Sequence, residues 1–411
     1  MEKLYPHCAG SDVHKKTAVV SVSWLDEQGR QQKQTRTFST MTADLRRLRD
    51  WLAERRVTHV ARESTGVYWR PIFNLLEEQF TVILAHAAQV KAVPGRKTDV
   101  RDSEWLLELM QQGLIRGSFI PPAAIRELRD LTRYRTSLIQ ERAREVNRVQ
   151  KVLEDANIKL GAVASDTLGA SGRPMIEALI AGETNPGTLA DLAKGQLRRK
   201  RALLQQALDG RVCAHHRLLL RELLAHISYL DQAIARVSDE IAERTGPFAA
   251  AIELLRSIPG IQQRAAEVIL AEIGADLSHF PSARHLCSWP AVCPGNRESG
   301  GKRLSGRTRS GNRWLRAVLL QVAWAAARVK GGYFGAQFRR IAKRRGEKRA
   351  ALAVAHSILT VIYHLLTDGV LYEDLGAAYF DQLAPDKVAR YHPRRLAELG
   401  YEVTLVPTPA A

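Results

Sequence analysis

Cysteine is scarce in this chain of 411 residues, with four copies at Cys8, Cys213, Cys287 and Cys293. Their spacing matches neither a zinc-binding pattern nor the dense framework of a small disulfide-stapled domain. We therefore expect free thiols, a reducing compartment and a cytoplasmic protein. The opening residues also lack the apolar core of a signal peptide.

Long apolar runs are missing as well. The longest, residues 351–366, is shorter than the roughly 20 residues that cross a bilayer, and it contains two histidines. We predict a buried helix there and no membrane partner. Hydrophobic residues make up 45% and charged residues 25% of the chain. That composition is typical of a globular protein, and the length allows two or three domains.

Acidic residues are outnumbered, because 43 Asp and Glu face 61 Lys and Arg, for a formal net charge of +18. Residues 297–349 hold sixteen basic residues and two acids, Glu298 and Glu347. Such a patch predicts a polyanionic partner, since clustered cations displace counterions from phosphates. A dispersed positive surface that aids solubility is the alternative. The candidate nucleic-acid contacts are Lys302, Arg303, Arg307, Arg309, Arg313, Arg316, Arg339, Arg340, Lys343, Arg344 and Arg345.

Residues 1–118 alternate between strand and helix patterns, which predicts an α/β domain with a central sheet. The predicted strands are residues 17–24, 57–62 and 81–85, with residues 32–39 as a hairpin partner of the first. The predicted helices are residues 45–55, 67–80 and 99–112.

Four carboxylates stand at the ends of these elements. Asp12 precedes or opens the first strand, and Glu63 ends a later one. Asp99 and Asp102 share one face of a helix. Carboxylates are hard oxygen ligands for Mg²⁺, and paired magnesium ions cut phosphodiesters. The set predicts a Mg²⁺ site and resembles the plan of the ribonuclease H-like nucleases, in particular the RuvC-like junction resolvases. In the alternative interpretation, Asp99 is an ordinary helix cap and Asp12 and Glu63 are turn residues.

The middle of the chain, residues 119–250, is predicted to be helical. Apolar residues spaced three and four apart form a seam typical of a coiled coil. The seam consists of Leu220, Leu223, Ile227, Leu230, Ile234, Val237 and Ile241. A helical hairpin within the chain and a dimer through the seam are both open interpretations.

The pattern changes again over residues 251–384, which are predicted to be mostly α-helical. A turn at Pro259 and Gly260 predicts a helix-hairpin-helix, whose backbone N–H groups bind a DNA phosphate. A basic, glycine-rich loop then carries Ser299, and a serine among arginines can attack a phosphate and hold it covalently. Ser305 and Ser310 are rivals in the same loop. Residues 385–411 are predicted to be an accessory tail.

Five ordered motifs carry a family resemblance over roughly residues 8–370. They are SDVHKK, ARESTGVYW, VPGRKTDVRDSEWL, LRSIPGIQQRAAEVILAEIG and CPGNRESGGKRLSGRTRSGNRWLR. They resemble the DEDD transposases of the IS-one-ten insertion-sequence family, relatives of the Piv-type DNA invertases. The chain departs at Ser11, commonly apolar in the family, at His86-Ala87, frequently Asn-Pro, and at Pro290-Ala291-Val292, more usually Ala-Gly-Leu.

The resemblance implies a resolvase-like domain that binds magnesium through Asp12, Glu63, Asp99 and Asp102, and a transposase domain in which Ser299 is the nucleophile. It further implies donor and target DNA as partners, a guide (bridge) RNA, and a homo-oligomer that is a dimer or tetramer. On this interpretation the chain cuts and rejoins DNA through a phosphoserine intermediate. Two other classes stay open: a metal-dependent, junction-resolving nuclease without serine chemistry, and a non-catalytic DNA-binding scaffold.

Overall fold

The computed structural model describes residues 4–63, 66–85, 99–115, 117–295, 297–306, 308, 310–383 and 385–404. Of residues 99–101, 297–299, 303–305, 387–388 and 392 it describes the backbone alone. The chain divides into two compact units, Met1–Ile120 and Pro121–Ala411. Each unit has its own core and is described by itself.

Five strands of the first unit form one sheet in the order β3-β2-β1-β4-β5. The strands are β1 (Cys8–Val13), β2 (Thr17–Leu25), β3 (Gln31–Ser39), β4 (His59–Glu63) and β5 (Thr81–Ala85). The helices are α1 (Thr42–Glu54), α2 (Trp69–Leu76) and α3 (Asp99–Gln111). β2 pairs antiparallel with β1 and β3, whereas β4 is parallel to β1 and β5. The predicted mixed α/β domain is confirmed.

Strand β1 departs from the expectation that the sheet begins at residue 17. Asp12 lies inside β1, a central strand, and does not precede or open the strand at Thr17. The reason is composition, because β1 reads Cys-Ala-Gly-Ser-Asp-Val. These mostly small residues give little of the β-branched signal by which strands are found in a sequence.

A glycine lets α3 pack directly on this strand. A β-carbon on Gly10 would lie closer than 3.0 Å to the Ser103 carbonyl oxygen and to the Leu107 amide nitrogen. Backbone atoms cannot yield as a flexible side chain can, so this close approach requires glycine. The Ser103 hydroxyl is fully buried and lies 2.9 Å from the hydroxyl of Ser21 on β2.

The two faces of the sheet bury separate apolar clusters. On one face Ala9, Val13 and Val60 pack against α1 and α2 in a core with Leu48 and Leu76. On the other face Cys8 and Ala61 pack against Leu107 and Met110 of α3. Because side chains alternate along a strand, the position of each residue in the register decides which helix it faces.

The described part of the second unit is helical apart from one hairpin, β6 (Arg297–Ser299) and β7 (Lys302–Ser305). Its helices up to residue 245 are α4 (Ala123–Asp155), α5 (Leu160–Val163), α6 (Gly172–Ala181), α7 (Pro186–Asp191), α8 (Arg201–Ala207) and α9 (Ala214–Thr245). The later ones are α10 (Ala249–Arg256), α11 (Gln263–Ile273), α12 (Ala283–Ser288), α13 (Arg313–Ala327), α14 (Tyr333–Arg345), α15 (Glu347–Asp368), α16 (Tyr379–Gln382) and α17 (Pro385–Ala397). Two short 3-10 helices, Gly195–Lys200 and Gly246–Phe248, join neighbouring helices.

The apolar seam of α9 is covered within the chain. Helices α4 and α9 run antiparallel, because Arg142 pairs with Asp231 while Arg244 pairs with Glu127 nearer the start of α4. Five of the seven seam residues are buried, namely Leu220, Ile227, Leu230, Ile234 and Ile241. The helical-hairpin interpretation therefore accounts for the burial of this seam within the chain, while a dimer through the seam stays a prediction.

The long apolar segment near the C-terminus forms α15, as predicted. By length and composition it is the one helix in the described part of the chain that could cross a membrane. Its buried residues are Ala350, Ala351, Val354, Ala355, Ile358, Leu359, Ile362 and Leu365. The helix packs on α12, α13 and α14, so its apolar surface serves the core of the second unit.

The turn at Pro259 and Gly260 packs against α13. Gly260 has a φ of +90°, and a β-carbon there would lie 2.8 Å from the Val322 carbonyl oxygen and the Ala326 nitrogen. The amide of Ile261 closes the turn on the Ile258 carbonyl at 3.1 Å. A turn between two helices is therefore present, while phosphate binding at this turn stays a prediction.

Candidate active site and nucleic-acid interface

Asp12 and Glu63 occupy adjacent positions at the carboxyl ends of two parallel strands. The register of β1 on β4 ends with the pair Ser11 and Arg62, and each acid is the next residue along its strand. By alternation both acids belong to the face with Cys8 and Ala61, which α3 covers. Both residues are half-buried.

Helix α3 brings its first turn toward the same edge. Ser103 and Leu107 approach Gly10, while Leu107 and Met110 pack at Cys8, so α3 runs opposite to β1. The residues before Ser103 therefore lie toward the Asp12 end of the strand. They include Asp102, which is half-buried, and Asp99, where the helix begins. The side chain of Asp99 lies outside the described residues.

The described acids do not form a closed ligand cluster. Among residues with described side chains, the ligand atoms of Asp12, Glu63 and Asp102 do not all lie within 4.8 Å of one another. Asp12 has one carboxylate oxygen 3.2 Å from Nε2 of His14. Half-buried carboxylates at one sheet edge nonetheless suit a divalent cation that prefers oxygen ligands.

A different group of metal-binding residue types lies in the second unit. Asp155, His215 and His216 have ligand atoms within 4.8 Å of one another. His216 is engaged at both nitrogens, because Nδ1 accepts from the Cys213 amide at 3.1 Å and Nε2 lies 2.9 Å from Asp155. These bonds cap α9 and tie it to the end of α4, which is a structural role.

Arg62 is a buried cation that sequence reasoning missed. Its side chain is 0% exposed, and no nitrogen of its guanidinium has a hydrogen-bond partner among the described residues. Burial lowers the pKa of Arg62 to about 10, and the negative charge of Asp12 opposes that shift. The group is therefore charged at neutral pH. By register it shares the α1–α2 face with Ser11, whose buried hydroxyl has no described residue as a partner either. The sequence signal that could have revealed it is an arginine inside a short strand, β4, after two buried apolar residues.

Ser299 ends β6 in a hairpin, whereas the sequence predicted a basic, glycine-rich loop. Ser299 pairs with Lys302, and the two residues between them, Gly300 and Gly301, have φ values of +57° and +73°. Positive φ at both central positions is what a two-residue hairpin turn needs, and glycine supplies it. The side chains of Ser299, Ser305 and Arg303, and the whole of Arg307 and Arg309, lie outside the described residues.

The predicted nucleic-acid contacts differ in their surroundings. Lys302 and Arg313 are exposed, as are all five basic residues predicted on α14: Arg339, Arg340, Lys343, Arg344 and Arg345. Arg316 is half-buried and donates to the Ala291 carbonyl at 3.3 Å and to the Thr308 hydroxyl at 3.1 Å. On α14, Arg340 also pairs with Asp381 at 3.5 Å, and Lys343 lies 3.3 Å from the Tyr391 hydroxyl. Two of these cations thus contact the C-terminal helices α16 and α17.

A buried ionic network anchors the start of α13, which follows the hairpin. Glu272 is 0% exposed and accepts two hydrogen bonds from Arg133, at 2.7 and 2.8 Å. Asn312 donates to Glu272 at 2.6 Å while its own side-chain oxygen caps α13. The network joins α4, α11 and α13. A glutamate in an apolar helix was the sequence signal that could have revealed it.

Two family models match the chain. A model for DEDD transposases of the IS110 type, described as a transposase, matches residues 9–158. A model described as the transposase IS116/IS110/IS902 family matches residues 252–339. IS110 is the IS-one-ten family to which the sequence motifs pointed. The matches include both the acid-bearing sheet and the serine-bearing hairpin.

Individual relatives agree with these matches. An uncharacterized 43.6 kDa protein of insertion element IS110 from Streptomyces coelicolor is 31% identical over 122 residues, 29% of this chain and 30% of that protein. The transposase of IS1111A from Coxiella burnetii is 24% identical over 282 residues, 67% and 68% of the two chains. An uncharacterized 44.8 kDa protein of IS116 from Streptomyces clavuligerus is 26% identical over 344 residues, 71% and 79%. The chain belongs to the IS110 family of insertion-sequence transposases and is a DNA transposase of that family.

Proposed function

We propose that this transposase cuts and rejoins donor and target DNA with a RuvC-like, ribonuclease H-like metal site and a serine nucleophile. The observation that supports the proposal most strongly is the end of the β1–β4 register at Ser11 and Arg62. It sets Asp12 and Glu63 side by side, on the face toward which α3 brings its first turn.

Asp12, Glu63, Asp99 and Asp102 are the proposed ligands, and Mg²⁺ is the proposed ion because the donor set consists of carboxylates. When bound, the ion would stabilise the charge that develops on phosphate oxygens. The protein's own part is to fix the carboxylates, through the contact of α3 with Gly10. It also keeps the positive charge of Arg62 near Asp12.

Ser299 is the proposed nucleophile. Its Oγ forms a bond to a DNA phosphorus, the bond from that phosphorus to a deoxyribose oxygen breaks, and the proton lost by the serine passes to solvent while the freed oxygen becomes a hydroxyl. A hydroxyl of the second DNA then attacks the phosphoserine, releases Ser299 and joins the strands. The ester conserves the energy of the broken bond, so no external energy source is needed. The turn that follows Ser299 consists of Gly300 and Gly301. Because glycine has no side chain, the turn residues themselves do not obstruct the approach of a DNA phosphate.

The basic segment 297–349 is the proposed nucleic-acid surface. Exposed cations at Lys302, at Arg313 and along α14 provide charge for the phosphates of donor DNA, target DNA and a guide RNA. The proposal includes a guide RNA and assembly as a dimer or tetramer. Both rest on the resemblance to the family. The helix-hairpin-helix at Gly260 would add a phosphate contact through backbone amides.

A recombination assay tests this proposal. Purified protein, donor and target DNA, Mg²⁺ and the noncoding RNA transcribed beside the gene should yield joined strands. Asp12→Asn and Glu63→Gln should yield none, whereas Glu27→Gln, at an exposed turn of the same unit, should retain full activity. Joining by the acid variants or in excess chelator would overturn the metal assignment, and equal joining without RNA would overturn guidance.

A junction-resolving nuclease is the second candidate, because the acid site has a geometric argument that is independent of the serine. That enzyme would cut DNA in a metal-dependent reaction and leave no covalent adduct. Cleavage products with free ends in the same assay, without any joined strands, would favour it. Failure of both cutting and joining, with binding retained, would favour a DNA-binding scaffold.

A further inference from the structure

A groove in the second unit has neither a proposed metal ligand nor Ser299 among its described lining residues. It runs between α4, α11 and α13, has a volume of about 710 Å³, and is closed at one side by the turn at Gly260. Sites that hold a ligand in a cleft usually have volumes of roughly 300–1,000 Å³. The groove is therefore large enough for a nucleotide-sized ligand.

The charge of the groove is positive. Arg135, Arg264 and Arg313 line it, and no carboxylate is among its described lining residues. Arg264 and Arg313 are exposed, so they lie at the rim. A cationic cleft with low-dielectric walls concentrates anions.

Arg135 is the unusual member of this set, because its side chain is 2% exposed. One terminal nitrogen, Nη1, lies 2.7 Å from Glu267, whereas Nη2 has no hydrogen-bond partner in the part of the chain that the structure describes. A buried guanidinium with a free donor is costly unless a partner arrives. An acceptor in the groove, such as a phosphate oxygen, would satisfy it.

The groove also has an apolar part that includes an aromatic ring. Val268, Val318 and Val322 contribute its apolar lining, and Trp314 stands beside them. The guanidinium of Arg313 lies 4.9 Å from the Trp314 ring. An arginine-flanked tryptophan is a surface on which a nucleobase stacks well, and such stacking tolerates any base.

We propose that this groove binds an unpaired nucleotide strand, with a phosphate on Arg135 and Arg264 and a base on Trp314. Paired bases are stacked on each other and leave no face free for Trp314, so the ligand is an unpaired segment. The inference rests on the proposed function and deepens it by naming a form of nucleic acid and a second binding surface. Displaced DNA and a guide-RNA loop share this chemistry.

The test uses fluorescence anisotropy of the full-length protein with three labelled probes. They are an unpaired DNA of about 12 nucleotides, within the usual range of single-strand site sizes, an RNA of the same sequence, and the corresponding DNA duplex. Arg264→Glu should reduce the affinity for the two unpaired probes about tenfold more than the affinity for the duplex, because the new carboxylate repels a phosphate bound in the groove. Arg236→Glu reverses an exposed charge on α9 and should reduce the affinity for all three probes slightly and equally. The tighter of the DNA and RNA probes identifies the source of the strand.

Photocrosslinking supplies a readout that does not depend on a folded variant. An unpaired probe carrying 5-iodouracil should crosslink the wild-type protein at Trp314. Equal losses of affinity in Arg264→Glu and Arg236→Glu, or crosslinks confined to residues other than Trp314, would overturn the proposal. A peptide segment would then be the better candidate ligand of the groove. The recombination assay described above is scored separately from these binding measurements. If recombination failed while the groove still bound the unpaired probes, the result would contradict the proposed function alone.

Discussion

Gly10 on β1 lies so close to Ser103 on α3 that a β-carbon at residue 10 would fall within 3.0 Å of the Ser103 carbonyl oxygen. This contact links the strand that carries Asp12 to the helix that carries Asp102. The separation of the two carboxylates therefore depends on a glycine two residues from one of them.

We predict that Gly10→Ala destabilises the first unit by about 1–3 kcal/mol, as overpacking of a core does. It should also weaken divalent-metal binding, because α3 must move away from β1. Gly246→Ala is the matched control, since a β-carbon there meets nothing within 4 Å and the backbone is already helical. Urea denaturation and metal titration measure both effects. Unchanged stability in Gly10→Ala would refute the close packing.

Arg62→Met should leave the first unit as stable or more stable, by up to about 4 kcal/mol, because replacing a buried charge with an apolar residue removes a desolvation cost. Burial lowers the pKa of Arg62 to about 10, so the cost applies throughout the range below that pH. It is relieved as pH rises toward the unfolded pKa. Arg46→Met, on the exposed face of α1, should change little. Marked destabilisation of Arg62→Met in a denaturant titration would reveal a partner for the guanidinium.

Glu272→Ala should destabilise the second unit by about 3–5 kcal/mol, because it removes a fully buried carboxylate that pairs with Arg133 and Arg129 and accepts from Asn312. Glu177→Ala is the comparison, since Glu177 pairs with Arg173 at an exposed position and such pairs contribute about 0–1 kcal/mol. The two free energies of unfolding can be compared by the same denaturation. Similar values for the two variants would contradict the anchoring role of the network.

Ile227→Asp should unfold or strongly destabilise the α4–α9 hairpin, because the side chain is 0% exposed within a single chain. Tyr229→Asp, two residues away and 57% exposed, should change the melting temperature little. Circular dichroism on heating measures the difference. If Ile227→Asp instead gave a folded protein of lower molecular mass, the seam would be an interface between chains.

The strands with β-branched residues were predictable from sequence, but the sheet edge that carries Asp12 and Glu63 was only partly so. β1 was missed because its small residues serve a close helix contact and carry no strand signal. The apolar residues of the α9 seam have a clear spacing of three and four residues. That spacing predicts a partner helix but does not indicate whether the helix belongs to the same chain. Arg62 and Glu272 appear in the sequence only as charges next to apolar residues, and whether such a charge is buried becomes visible when the residues around it are placed.

The central claim is that Ser299 forms the covalent bond to DNA, and mapping of a trapped protein–DNA adduct tests it most directly. A DNA substrate that loses its attacking end after cleavage should leave wild-type protein joined to a nucleotide at Ser299. Ser299→Ala should still bind DNA and give no adduct, whereas Ser305→Ala and Ser310→Ala should retain it. An adduct that persists in Ser299→Ala would contradict the account.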